Sequence, residues 1–138
     1  MTLSNVPLTD SDDAKGSING RGIRVLLAED DRAVRRLLQV VLERAGYEVI
    51  PAADGLEAMK LALSSPINIL ITDAMMPNLN GHELCRFMRN SETLSHVPII
   101  LLSALEKKIS DGQADAFLTK PVSSEILLEC VEKLLAEK

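Results

Sequence analysis

At 138 residues the chain has the length of one domain and can bury a hydrophobic core without disulfides or structural metal. A net charge of -5 and a pI near 5.0 exclude the broad basic footprint of a nucleic-acid binder, and Tyr47, Phe87 and Phe117 are too few aromatics for a base-stacking platform. No apolar run approaches the length of a membrane span and Met1-Thr2-Leu3-Ser4-Asn5 has no signal-peptide character, so a cytoplasmic protein with no nucleic-acid or membrane partner is expected.

Residues 1–21, rich in Ser, Thr, Asp, Asn and Gly, show no periodicity and read as a tail; the folded domain is expected to span 22–138. A strand is predicted over Ile23 to Ala28, closed by Glu29, Asp30 and Asp31. The helix predicted from Arg32 to Ala45 carries a core stripe of Val34, Leu37, Leu38, Val41, Leu42 and Ala45, with Arg32, Arg35, Arg36, Gln39 and Glu43 between them. Gly46 suits a left-handed cap, a strand follows over Tyr47 to Pro51, and Asp54 is the expected N-cap of a helix from Gly55 to Leu63. The strand Ile67 to Thr72 is closed by Asp73, and Asn80-Gly81 turns into a helix running to Asn90. The strand Val97 to Leu102 tolerates Pro98 near its start and is closed by Ser103. A short helical piece near Leu105 to Ser110, a strand over Ala116 to Thr119 ending at Lys120, and a helix from Ser123 to Ala136 with Leu127, Val131, Leu134 and Leu135 inward complete the pattern. Cys85 and Cys130 fall within helices without zinc-site spacing and are expected as reduced packing residues, while His82 and His96 suit surface or capping roles.

Strands and helices thus alternate, five of each. Val25-Leu26-Leu27, Ile69-Leu70-Ile71 and Ile99-Ile100-Leu101-Leu102 are continuously apolar, as parallel strands covered on both faces should be. The fold class expected is α/β, a doubly wound five-stranded parallel sheet, whose ligands bind beyond the carboxyl ends of the strands. Those ends present Glu29, Asp30 and Asp31, then Asp73, Ser103 and Lys120.

Two carboxylates about 4 Å apart repel by roughly 4 kcal/mol at an effective dielectric near 20, so clustered acids need a counter-charge. Mg²⁺ supplies one, since it takes oxygen ligands from one or two carboxylates plus water and phosphate. A helix cap at Asp30 or Asp31 would explain one acid but not three. Asp73 is a competent phosphoryl acceptor once the developing charge is neutralised, although a strand-end turn residue would look the same. Lys120 would pair with phosphoryl oxygens and Ser103 would donate to one; singly both are commonplace, and only their order along successive βα units gives them weight. A phosphohydrolase with an aspartyl nucleophile would want a second carboxylate two residues on, where this chain has Met75. A nucleotide binder is disfavoured because Glu29, Asp30 and Asp31 would repel phosphate without a metal.

The segments Val25-Leu26-Leu27-Ala28-Glu29-Asp30-Asp31, Ile71-Thr72-Asp73-Ala74-Met75-Met76-Pro77-Asn78-Leu79-Asn80-Gly81, Leu101-Leu102-Ser103-Ala104 and Phe117-Leu118-Thr119-Lys120-Pro121 together carry a specific resemblance. From Gly22 onward the chain resembles the receiver domain of bacterial response regulators in two-component phosphorelay signalling. The resemblance implies a flavodoxin-like (βα)5 fold in which Asp73 is the phosphoacceptor and Glu29, Asp30, Asp73 and the Met75 carbonyl hold Mg²⁺. Asp31 would then lie outside the direct metal shell. It further implies that Ser103 is the switch hydroxyl, Phe117 the switch aromatic and Lys120 the phosphate-pairing lysine, with a cis peptide before Pro121. The donor would be a sensor histidine kinase or a histidine phosphotransfer protein, and a downstream protein would read the phosphorylated state. That describes a signalling phosphoprotein and not an enzyme; the alternative is a pseudo-receiver, an interaction module independent of phosphorylation.

Two departures accompany the resemblance. The stretch from Ser103 to Lys120 is about five residues shorter than in most relatives, nearly a turn and a half of helix, so a shortened fourth helix ending near Gly112 is expected. Met75 and Leu105, each two positions beyond Asp73 and Ser103, are apolar where relatives often place polar groups, which predicts slow self-dephosphorylation. No output domain fits within the length, so output passes through a partner. The chain reads as a stand-alone receiver or as part of a larger regulator or hybrid kinase, with Met1 and the tail favouring a natural start.

Overall fold

The computed structural model describes residues 22–104 and 113–137. The expected tail, and the short helical piece near Leu105 to Ser110 with Leu105 and Gly112, lie outside those residues. Five strands and four helices are described: β1 (Arg24–Ala28), α1 (Arg32–Arg44), β2 (Glu48–Ala52), α2 (Gly55–Ser64), β3 (Ile69–Asp73), α3 (Gly81–Asn90), β4 (Ile99–Ser103), β5 (Ala116–Thr119) and α4 (Ser124–Ala136). The strands form one sheet in the order β2-β1-β3-β4-β5, and every neighbouring pair is parallel. This is the flavodoxin-like order, in which the chain reverses its direction of travel between β1 and β3 and opens a crevice there.

Alternation along each strand divides the core between the two faces of the sheet. Leu26, Leu70, Ile99 and Leu101 face Ala58 and Ala62 of α2 and Leu84, Cys85 and Met88 of α3. Val25, Leu27, Ile69, Ile71, Ile100 and Leu102 face Leu38 and Leu42 of α1 and Leu127, Val131 and Leu134 of α4. Each fully buried Leu or Ile is worth about 1.5–3 kcal/mol of transfer free energy, so β1, β3 and β4 anchor the molecule. Cys85 is buried and Cys130 half-buried, and neither is in a disulfide.

Most predicted boundaries move by one or two residues, for reasons that lie in pairing. β2 starts at Glu48, not Tyr47, because the Tyr47 amide still donates to Leu42 at the end of α1 (3.1 Å). β3 starts at Ile69 because Asn68 serves as its lead-in: its amide donates to the Arg24 carbonyl (2.8 Å) and its side chain accepts from the Arg24 amide (2.7 Å). One stripe residue is misassigned: Leu37 is 62 % exposed. It lies about 100° around the helix from Leu38, off the edge of the buried face. Asp54 caps α2 and Gly46 follows α1 at φ 99°, both as expected. Asn80, read from the sequence as part of a turn, is the N-cap of α3 and forms a capping box with Glu83.

Candidate functional site

The carboxyl end of β1 delivers Glu29 into the interior. Its amide continues the sheet by donating to Ala52 of β2 (3.1 Å), and the residue is fully buried. Its Oε2 accepts the Asp31 amide and its Oε1 accepts Lys120 Nζ, both at 3.1 Å. Asp31 is the N-cap of α1, accepting from the amides of Ala33 (2.9 Å) and Val34 (3.1 Å). The cap reading therefore holds for Asp31, and Asp30 is left exposed at the crevice.

Two strands contribute the rest. Asp73 ends β3 and is buried. Its Oδ1 lies 3.4 Å from the Met75 amide and its Oδ2 is 3.1 Å from Lys120 Nζ. Lys120 follows β5, where its amide donates to the Ser103 carbonyl (2.8 Å), and the next peptide bond, to Pro121, is cis. One ammonium thus bridges Glu29 and Asp73, residues that enter from β1 and β3. Carboxylate oxygens of Glu29, Asp30 and Asp73 come within 4.8 Å of one another, so the three acids form a single hard-oxygen donor set.

The electrostatics follow from burial and proximity. Burial pushes the Glu29 carboxyl above its ordinary value; the Asp31 amide opposes this, the neighbouring Asp73 charge adds to it, and Lys120 offsets part. Burial alone would pull the Lys120 ammonium down, but its bonds to Asp73 and Glu29 outweigh that and hold it above the ordinary lysine value. The cluster holds three carboxylates, of which Lys120 pairs with two, an excess of negative charge that a divalent cation would neutralise.

Ser103 is half-buried at the end of β4, one residue beyond the register partner of Asp73, and Phe117 is half-buried on β5 opposite Leu101. The Met75 side chain is 70 % exposed. His82 is the second residue of α3 and His96 is exposed before β4. Sequence reasoning missed Arg35, read only as part of a polar face, whose Nη1 donates to the Glu29 carbonyl (2.7 Å) and braces the acidic turn. It also missed the bond from Asn78 to Asp54 (3.2 Å), which a Pro-Asn turn signal could suggest only locally.

Residues 25–132 match the model of the response regulator receiver domain. The chain belongs to that family. Receiver domains are signalling modules of two-component systems, in which phosphorylation and Mg²⁺ binding are general. The chain is 36 % identical over 117 residues to the DNA-binding dual master transcriptional regulator RpaA of Synechocystis, covering 81 % of this chain and 48 % of that protein. It therefore spans about half the length of RpaA. It is 31 % identical over 116 residues to protein PilG of Pseudomonas aeruginosa, covering 80 % of this chain and 86 % of PilG. Among solved structures it resembles the response regulator TrrA of Thermotoga maritima in complex with Mg²⁺ and BeF, with a TM-score of 0.74 and 33 % identity. That match covers 81 % of this receiver and 98 % of TrrA. No described helix of this receiver is long and apolar enough to cross a membrane.

Proposed function

We propose that this receiver takes a phosphoryl group from phosphohistidine onto Asp73 and that the product switches the binding of a downstream protein. The observation that carries the reading is the Lys120 ammonium, 3.1 Å from both Glu29 and Asp73, whose carboxylates gather with that of Asp30 within 4.8 Å of one another. Glu29, Asp30, Asp73 and the Met75 carbonyl would hold Mg²⁺; when bound, the ion neutralises charge on the transferring phosphoryl oxygens.

The chain's own residues account for the remaining chemistry. A carboxylate oxygen of Asp73 attacks phosphorus as the P–N bond to the donor imidazole breaks, and the imidazole leaves with the bonding electron pair. Lys120, already paired with Asp73, neutralises charge on the acyl phosphate as it forms. Ser103 donates its hydroxyl to a phosphoryl oxygen, and Phe117 follows into the space that Ser103 vacates. Their positions at the end of β4 and on β5, on the side of the crevice next to β3, support that coupling. The Met75 side chain carries no hydrogen-bond donor to orient water, so the acyl phosphate is long-lived.

The donor is a sensor histidine kinase or a histidine phosphotransfer protein in the cytoplasm, and the net charge of -5 favours a protein as the direct partner over nucleic acid. The module is a phosphoacceptor and not an enzyme acting on an external substrate. A phosphorylation-independent role has nothing in its favour among the described residues, where the acids and the ammonium are assembled. Incubation with phosphoramidate, a small donor with a P–N bond, followed by borohydride reduction and peptide mapping, tests the reading. Conversion of Asp73 to homoserine is expected; reduction at another acid, or at none, would contradict it.

A further inference from the structure

The loop between β3 and α3, residues 74–80, is folded back on itself and tied to a neighbour. The Gly81 amide donates to the Ala74 carbonyl (2.9 Å) and the Leu79 amide to the Pro77 carbonyl (2.8 Å), closing the loop at both levels. At its tip Asn78 adopts φ 72°, a left-handed conformation that Asn tolerates because its short amide can bond locally. Here the amide reaches further. Asn78 Nδ2 donates to Asp54 Oδ2 (3.2 Å), on a residue 24 positions earlier. A carboxylate only accepts, which fixes the amide with its nitrogen toward Asp54.

Asp54 does two jobs at once, since its Oδ1 accepts the Glu57 amide (2.8 Å) and caps α2. The rigid start of a helix is thereby the anchor for the loop. A second contact reinforces it: a Cβ on Gly55 would collide with the Leu79 carbonyl, so the loop backbone rests directly on the first residue of α2. Met75, in contrast, gains no anchorage from packing, being 70 % exposed with its amide 3.4 Å from Asp73 Oδ1. The Met75 carbonyl is held from its C-terminal side, where Met76 and Leu79 pack against the core and the Asp54–Asn78 bond pins the loop tip between them.

We infer that the Asp54–Asn78 hydrogen bond is a latch that holds the Met75 carbonyl in place for a divalent cation, making both residues positioning residues for metal binding without touching the metal. The inference rests on the proposed role of the Met75 carbonyl as a ligand. Losing the latch frees the loop tip while leaving the three acids and Lys120 where they are. Cation affinity then falls because ordering the loop is no longer accomplished before the ion arrives.

Calorimetric titration of the full chain with Mg²⁺ tests this. Asn78→Asp sets two carboxylates against each other while keeping a residue that tolerates the left-handed conformation; adding Asp54→Asn restores a donor–acceptor pair and still caps α2. The single variant should bind Mg²⁺ about 5- to 10-fold more weakly and the pair should return to within about twofold of the native chain. Amide hydrogen exchange across residues 75–79 of the metal-free protein should quicken in the single variant and recover in the pair. Unchanged Mg²⁺ affinity in Asn78→Asp, or a pair that binds no better than the single variant, would overturn the latch alone. A native chain that binds no Mg²⁺ would overturn the metal reading and the latch with it.

Discussion

Lys120 makes opposing contributions to the site. Its ammonium neutralises part of the charge of Glu29 and Asp73 in the resting protein, and the same charge competes with any cation drawn to those acids. Lys120→Met should therefore tighten Mg²⁺ binding several-fold in a calorimetric titration while slowing phosphorylation by a small-molecule donor about 100-fold, the scale expected for removing one charge-stabilising group. Slower phosphorylation with weaker Mg²⁺ binding would instead mean that Lys120 serves chiefly to hold Glu29 and Asp73 in place for the cation. At the other end of the molecule Tyr47 is buried, and burial, helped by the Glu132 charge, raises its phenol above the ordinary value near 10. The folded state then keeps the phenolic proton longer than the unfolded state, so stability falls as pH climbs above about 10. Urea melts across that range should show a smaller alkaline loss for Tyr47→Phe than for the native chain.

Single residues matter here because elements meet at a few close contacts. Gly81 sits against the backbone of Asp73 and Ala74, where a Cβ would collide with the Asp73 carbonyl. Gly81→Ala should push α3 away from the end of β3 and cost about 1–3 kcal/mol, read as a lower urea midpoint at unchanged slope. Arg89 ties three segments together: it donates to the carbonyls of Gln113 (2.8 Å), Ser95 (3.0 Å) and Val97 (2.8 Å), and to Asp115 (2.6 Å), which also accepts the Ile99 amide (2.7 Å). A lysine cannot reproduce that planar fork, so Arg89→Lys should lower stability by about 1–3 kcal/mol in the same assay without altering Mg²⁺ affinity. Neither contact was legible in the sequence. The apolar runs and their closing polar residues reveal strands and strand ends, because burial and pairing act on neighbours in the chain. The Arg89 fork, the Arg35 brace and the Asp54–Asn78 bond are created by tertiary proximity, and Leu37 looked like core because spacing alone does not define the edge of a buried face.

At the scale of the molecule, the parallel sheet converts sequence order into a site. Three strand ends that are distant in the chain deliver Glu29, Asp73 and Lys120 to one crevice, and the order of the closing residues was readable before the geometry. The cap reading left open between Asp30 and Asp31 falls to Asp31, because its carboxylate meets the first amides of α1. Since a cation bound only by the folded state stabilises it by mass action, Mg²⁺ at 100 times its dissociation constant should add about 2.7 kcal/mol, an increment lost in Asp30→Asn. The most direct test of the whole account is intact-mass detection of phosphorylation by acetyl phosphate, with and without Mg²⁺, in the native chain and in Asp73→Asn. A single Mg²⁺-dependent phosphoryl adduct that disappears in Asp73→Asn is the expected result. An adduct that survives the substitution, or no adduct at any Mg²⁺ concentration, would contradict Asp73 as the phosphoacceptor.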